Sequence, residues 1–250
     1  MAAEPPSRLD LSLPRNYGEL LATTFQVFGA NSAVLFTFAL VLITPVAILV
    51  DGVWGRALAD GIDAKPAAAA QLVSLGLRAL LIVPLMTALS VVVVRELGGG
   101  GAPTLGGALR TAARRFPSVL GAVGLYVVGV SGGLVLLIVP GIWLLVLWYF
   151  AAQAAVIDDA TPVAAVRRST ELVRGSWWRV FGMIVVTGLL FGIGGAIVTA
   201  VVGQLGSTAL YVAGLIVVEA FTVSLSGIFA ALLFYDLRVR NGRPVVAERP

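Results

Sequence analysis

The chain has 250 residues, of which 59% are hydrophobic and only 12% are charged, and its formal net charge is +4. Soluble globular domains carry about 25% charged residues, so this composition excludes an ordinary soluble domain and favours a membrane protein. The sequence contains no cysteine and no histidine, which excludes disulfide bonds, thiol catalysis and imidazole chemistry. We therefore expect no enzyme activity, no metal and no cofactor.

Six long apolar segments are separated by short polar or charged segments. Each has about 17 to 27 residues, enough to cross a hydrocarbon core of about 30 Å as a helix that rises about 1.5 Å per residue. The predicted spans are residues 32–50, 71–94, 118–139, 141–157, 178–202 and 209–235. The sequence therefore predicts an all-α fold, a polytopic transmembrane helical bundle at residues 16–236. An N-terminal tail at 1–15 and a C-terminal tail at 237–250 would flank it.

Short polar segments with helical spacing precede the first, third and fifth spans. They cover residues 17–30, 103–117 and 162–174, and Thr161 and Pro162 are typical of a helix start. We expect three short amphipathic helices on the cytoplasmic surface, each followed by two spans in an internal repeat. Alternatively, any helix that lies at the surface before a span would give this pattern. The Pro140–Gly141 pair predicts the turn between spans three and four.

The distribution of arginines predicts the orientation in the membrane. Fourteen arginines lie in the two tails and in the loops after spans two and four, whereas the opposite side holds only Arg56 and Lys65. By the positive-inside rule, both termini should be cytoplasmic. The content of arginine, alanine, glycine and valine is typical of GC-rich bacterial genomes, so we predict a multi-pass protein of the bacterial plasma (inner) membrane. We expect no nucleic acid partner, because no binding motif is present.

Two ionisable residues lie well inside the predicted spans. Arg78 and Glu219 each stand 17 positions before a charged residue at the cytoplasmic end of their span, which places both about 25 Å from that end. Charges inside a membrane are usually paired or face a cavity. Arg78 and Glu219 are therefore a candidate ion pair or shared polar pocket. The alternative is that each side chain extends separately to the outer interface.

A second candidate site is the arginine-rich cytoplasmic surface. Its members are Arg110, Arg114, Arg115, Arg167, Arg168 and Arg174. Guanidinium groups there would bind the anionic headgroups of membrane lipids, or a membrane or cytoplasmic protein partner; they would equally serve as a topology signal alone. Asp158 and Asp159 resemble a metal-binding pair, but beside Thr161 and Pro162 we interpret them as a solvated helix start.

Small residues spaced four apart occur in spans three and five. They are Gly129 and Gly133 in span three, and Gly188, Gly192 and Ala196 in span five. This spacing lets helix backbones approach closely. Packing within one protomer is one interpretation, and a dimer interface through the glycine-rich spans is the other.

Three segments resemble a known bacterial membrane family: VPGIW at 139–143, AVRRSTELVRGSWWRVFG at 165–182 and FYDLRVR at 234–240. The chain resembles the glycerophosphoryl diester phosphodiesterase membrane domain family and related six-span bacterial proteins. Where the phosphodiesterase is active, that resemblance implies a separate soluble catalytic domain with histidines and metal-binding carboxylates. The resemblance therefore implies a stand-alone membrane domain without that chemistry.

From the sequence we predict a non-enzymatic accessory or scaffold subunit whose arginine-rich cytoplasmic face binds a partner or anionic headgroups. The alternative is a small transporter or lipid-handling protein with a polar pocket near Arg78 and Glu219. A water-accessible Glu219 would favour the alternative, and an ion pair sealed in lipid would favour the scaffold.

Overall fold

The computed structural model describes residues 9–48, 76, 80, 82–99, 105–204 and 207–243. This part of the chain forms eight α-helices and no strand. They are α1 (Tyr17–Ala47), α2 (Val83–Gly98), α3 (Leu105–Leu136), α4 (Ile138–Trp148), α5 (Ala151–Ile157), α6 (Pro162–Val173), α7 (Trp177–Gly203) and α8 (Thr208–Arg240). The predicted all-α fold class is confirmed.

Five segments of the described chain are long and apolar enough to cross a membrane. They are Tyr17–Ala47, Arg110–Leu136, Ile138–Ile157, Trp177–Gly203 and Ala209–Arg240. These segments overlap predicted spans one, three, four, five and six. Predicted span two, residues 71–94, is described only at 76, at 80 and from 82 onward, where it forms α2.

The central helix is α8, which packs along α1, α2 and α7. Its C-terminal part is almost completely buried, from Ile228 to Leu237. A second group forms around α3, which packs against α2, α4, α5 and α6. Because α2 contacts both α3 and α8, it joins the two groups into one bundle.

The segment predicted as the first surface helix is part of a longer helix. The predicted break after residues 17–30 is a kink at Asn31 (φ −125°, ψ 19°) inside α1. Before the kink, Phe28 packs against Phe221 of α8 with ring centroids 5.1 Å apart. Residues 17–30 therefore form a helical segment that ends at the predicted break and packs along α8. Its location on the cytoplasmic surface stays a prediction.

The second predicted surface helix, in contrast to the first, is continuous with its span. From Leu105 to Leu136, α3 runs without interruption through Pro117. Proline removes one helical hydrogen bond, that of its own missing N–H to the carbonyl of Ala113. The helix nevertheless continues for 19 residues beyond Pro117. The prediction of a helix boundary at Pro117 is therefore wrong.

The turn between predicted spans three and four lies at Leu137, not at Pro140 and Gly141. Leu137 is extended (φ −156°, ψ 130°), and Pro140 lies in the first turn of α4, where a missing N–H removes no helical hydrogen bond. Gly141 permits a close approach of α3 to α4: a Cβ there would lie 2.5 Å from the backbone nitrogen of Leu134.

Candidate functional site

Asp236 lies at the centre of a charged cluster at one end of the bundle. We call the ranges that meet there the charged end: residues 9–16, 158–179 and 236–243. The Asp236 side chain is fully buried, and its Oδ2 lies 3.0 Å from Nη1 of Arg179 and 2.9 Å from Nε of Arg240. Because a buried carboxylate is costly without a counter-ion, these two guanidinium groups stabilise Asp236 and tie α7 to α8.

Asp158 is a second buried carboxylate at the charged end. Its side chain is 11% exposed, and Oδ1 lies 2.7 Å from Nη1 of the buried Arg238; Oδ2 lies 3.5 Å from Arg168. The prediction of a solvated helix start is wrong for Asp158, because α8 supplies a counter-ion from 80 residues away. Asp159 is exposed, has a positive φ of 52° and pairs with Arg115.

The predicted N-terminal tail is folded where it is described, at residues 9–15. The backbone N–H of Arg15 donates to Oδ1 of Asp236 at 2.7 Å. The Arg15 carbonyl accepts from Nη2 of Arg179 at 3.0 Å and from Nη2 of Arg240 at 2.9 Å. The segment is therefore held by the same residues that surround the buried carboxylate. Residues 1–8 lie outside the described residues.

The predicted C-terminal tail, 237–250, begins inside a helix. Leu237 is fully buried, and α8 continues to Arg240. Beyond it, the side chain of Asn241 donates to the carbonyl of Leu172 in α6 at 2.9 Å. The end of α8 thus packs on α6, so residues 237–243 are folded against the bundle. Residues 244–250 lie outside the described residues.

The six predicted surface arginines divide into two groups. Arg115, Arg167 and Arg168 form ion pairs with Asp159, Glu171 and Asp158, respectively. Arg110, Arg114 and Arg174 are exposed and form no ion pair with any described residue. Half of the predicted surface is therefore already used in contacts within the chain, and three guanidinium groups face outward.

The predicted pairing of Arg78 with Glu219 stays a prediction, because Arg78 lies outside the described residues. Glu219 is half-buried on α8. Thr222 and Ser226 follow it at helical spacing on the same face and line a cavity. Glu219 therefore lies one helical turn from that cavity.

The cavity has a volume of about 330 Å³ and lies between α2, α3, α8 and the junction of α4 with α5. Small-molecule sites have volumes of about 300–1,000 Å³. Most of the lining is apolar and includes Met86, Val123, Val127, Trp148 and Ala230. The polar lining residues are Thr87, Tyr126, Tyr149, Gln153, Thr222 and Ser226. None of the described residues that line the cavity is charged.

The cavity lies within the apolar part of the bundle. Thr87, Val123 and Ala230 line it and stand six to eight residues from the charged residues Arg95, Arg115 and Asp236. At about 1.5 Å per residue, this separation is about 9–12 Å. Val123 and Ala230 belong to two of the five candidate membrane spans, so the cavity is expected to lie inside the hydrocarbon layer.

The helix break beside the cavity is held by one serine. α4 ends at Trp148 and α5 begins at Ala151. In between, the N–H of Phe150 donates to the hydroxyl of Ser169 at 3.1 Å, and this hydroxyl donates to the carbonyl of Leu147 at 2.7 Å. Ser169 of α6 therefore satisfies two backbone groups that a continuous helix would have paired internally.

Replacing Ser169 with alanine should lower the free energy of unfolding by about 1–3 kcal/mol, because two buried backbone groups would lose their partner. Denaturant unfolding of the purified protein in detergent would measure the loss. Thr170→Ala is the matched control, since the Thr170 hydroxyl only donates back to the Val166 carbonyl one turn earlier. Equal losses for the two variants would contradict the role of Ser169.

The glycines of the two glycine-rich spans have different surroundings. A Cβ at Gly129 would overlap the ring of Trp148, whereas Gly188 and Gly192 have no atom within 4 Å of a Cβ position. Packing within the protomer is thus confirmed for Gly129. Gly188, Gly192 and Ala196 are exposed, so a dimer through this face of α7 stays a prediction.

A protein-family model described as "Domain of unknown function (DUF7847)" matches residues 66–237. The matched range contains every residue that lines the cavity, together with Asp158 and Asp236. No curated protein and no solved structure matches the chain significantly.

Proposed function

We propose that this chain, which belongs to the DUF7847 family of domains of unknown function, is a non-enzymatic membrane protein that binds a lipid-like amphiphile. The cavity between α2, α3 and α8 carries the proposal. It combines an apolar lining with a few uncharged polar groups, which is the pattern of small-molecule sites. It also adjoins a broken helix, and non-helical backbone at membrane depth is tolerated where protein covers it or where it lines a cavity.

The surroundings of the cavity favour a ligand that enters from the membrane. Val83, which lines the cavity, is 42% exposed. Phe221, next to the lining residue Thr222, is also 42% exposed. On the side towards the charged end, Asp158 and Asp236 are enclosed by their arginine partners. An amphiphile would therefore pass an apolar rim, while water-soluble ions would meet the closed charged end.

We further propose six spans with both termini in the cytoplasm of a bacterium. Residues 9–16 and 236–243 meet at the charged end, and an even number of crossings brings both ends of the chain to one side. Five candidate spans therefore favour a sixth, for which residues 71–94 are the candidate. The arginines at that end favour the cytoplasmic side.

Filling the cavity should displace the ligand. Ala152 lines the cavity and is 8% exposed, so Ala152→Phe would place a ring in the space; we expect a several-fold loss of co-purified lipid. The protein would be extracted with its native lipid in polymer nanodiscs, and the lipid would be identified by mass spectrometry. Ala196→Phe, on the exposed face of α7, is the control. The same lipid content in both variants would refute the proposal.

A second candidate function is the accessory or scaffold subunit. The observation that favours it is the set of three exposed arginines without an ion pair to any described residue: Arg110, Arg114 and Arg174. Such groups bind phosphates and carboxylates well. A stoichiometric protein partner in the nanodisc preparation, lost when all three arginines become glutamine, would favour the scaffold. The resemblance to the phosphodiesterase membrane domain stays a prediction, because the matching family is described only as a domain of unknown function.

A further inference from the structure

We infer that the ligand of the cavity has an uncharged, hydrogen-bonding headgroup, as in a neutral hydroxyl-bearing lipid of the diacylglycerol type. This inference rests on the proposed function, because it names the class of amphiphile that the same cavity would bind. It depends on two independent observations: the charge of the lining, and buried polar atoms that lack hydrogen-bond partners.

The described lining offers nothing that would neutralise a phosphate. A buried phosphate needs a cation to offset its desolvation. The arginines of the nearby end of α8 are engaged elsewhere: Arg238 lies 2.7 Å from Asp158, and Arg240 lies 2.9 Å from Asp236. An anionic headgroup would therefore be strongly disfavoured in this cavity.

The polar lining, by contrast, has unused hydrogen-bonding capacity. Gln153 lines the cavity and is 4% exposed, and its Oε1 has no hydrogen-bond partner among the described residues. Buried polar atoms are nearly always partnered. Rotation of the amide would present either its oxygen or its NH₂ group to a ligand, and a hydroxyl, which both donates and accepts, would satisfy either one.

A second unpartnered group lies in α2 against a lining residue of α8, although it does not itself line the cavity. The hydroxyl oxygen of Ser90 in α2 is buried without a hydrogen-bond partner, and it faces the lining residue Gly227 of α8 so closely that a Cβ there would overlap it. The volume of about 330 Å³ equals that of about eleven waters at roughly 30 Å³ each. This space is enough for a glycerol-sized headgroup and the first methylenes of its chains.

The experiment compares two lipids that share acyl chains and differ only in a phosphate. Full-length protein in phosphatidylcholine nanodiscs would be equilibrated with photoactivatable diacylglycerol or with photoactivatable phosphatidic acid. After irradiation, labelled peptides would be quantified. We expect diacylglycerol to label peptides of α5 and of α8 around Thr222 at least roughly tenfold more than phosphatidic acid. Gln153→Leu should reduce the diacylglycerol signal by roughly three- to tenfold, the effect of one hydrogen bond.

Three comparisons make the outcome decisive. Gln26→Leu, at an exposed position of α1, is the matched control and should label like the unmodified protein. Thr222→Val removes a lining hydroxyl and replaces the glutamine variant if that variant does not fold. Equal labelling by both lipids, or diacylglycerol labelling that neither variant reduces, overturns the headgroup inference while lipid binding stands. Labelling by neither lipid, with unchanged co-purified lipid in Ala152→Phe, overturns the inference and the proposed function together.

Discussion

Replacing Asp236 with asparagine should lower the free energy of unfolding by about 2–3 kcal/mol. The carboxylate is fully buried, and its loss leaves Arg179 and Arg240 without their counter-ion. Breaking a buried pair by removing one partner costs about 3–5 kcal/mol. The two arginine side chains are 27% and 37% exposed, so solvent screening reduces the loss below that range.

Unfolding in detergent, followed by circular dichroism and by size-exclusion chromatography, would measure the effect of Asp236→Asn. Glu171→Gln is the control, because Glu171 also contacts two arginines, Arg167 and Arg243, but is 42% exposed. Exposed pairs contribute about 0–1 kcal/mol. If the two variants lost the same stability, burial of Asp236 would not be the reason for its importance.

Replacing Gly141 with alanine should destabilise the protein by about 3 kcal/mol and separate α3 from α4. A Cβ at Gly141 would lie 2.5 Å from the backbone nitrogen of Leu134, and a Cβ at Gly133 would lie 2.9 Å from the Cα of Gly141. Overpacking usually costs about 1–3 kcal/mol. The upper end applies here because the obstacle is backbone, which only a movement of the whole helix can relieve.

The neighbouring glycine provides the control for this effect. Gly132 has no atom within 4 Å of its Cβ position, so Gly132→Ala should leave stability unchanged or raise it by up to about 1 kcal/mol through helix propensity. Thermal unfolding of both variants in the same detergent would test the contrast. A large loss for Gly132→Ala, or none for Gly141→Ala, would contradict the close approach of α3 and α4.

Hydropathy predicted the last two long helices well. Residues 178–202 and 209–235 were predicted, and the helices are Trp177–Gly203 and Thr208–Arg240. Such helices can be predicted from the local sequence alone. The thickness of the bilayer sets the length of the apolar run, and charged or polar residues mark its two ends. The additional turn of α8 beyond residue 235 was not predicted. Its basic residues are typical of a solvated tail, and the sequence alone does not reveal the buried carboxylates with which they pair.

Two helix boundaries predicted from proline and glycine residues were wrong. Pro117 lies inside α3 and Pro140 inside the first turn of α4, although both were interpreted as breaks. A proline in the first turn of a helix removes no hydrogen bond, and a proline in the interior ends the helix only where the one lost hydrogen bond is not tolerated. That depends on neighbouring helices, which a local pattern does not reveal.

The charged end and the cavity could not be predicted because their residues are distant in sequence. Asp158 and Arg238 are 80 residues apart, and Arg15 and Asp236 are 221 apart. Likewise, the cavity takes Thr87, Gln153 and Thr222 from separate segments. One signal was present: Asp158 and Asp236 each follow directly on a long apolar run, where a carboxylate needs a counter-ion, and Arg238 stands two residues beyond the second.

The contact between Arg15 and Asp236 can form only late in the synthesis of the chain. The backbone of Arg15 has its carboxylate partner only once Asp236 has been made, 221 residues later. At about 5–20 residues per second, this interval is about 10–40 s. All the helices that precede α8 are thus synthesised before this contact can form, so the cluster that ties α7, α8 and the N-terminal segment together cannot form until synthesis has passed Asp236.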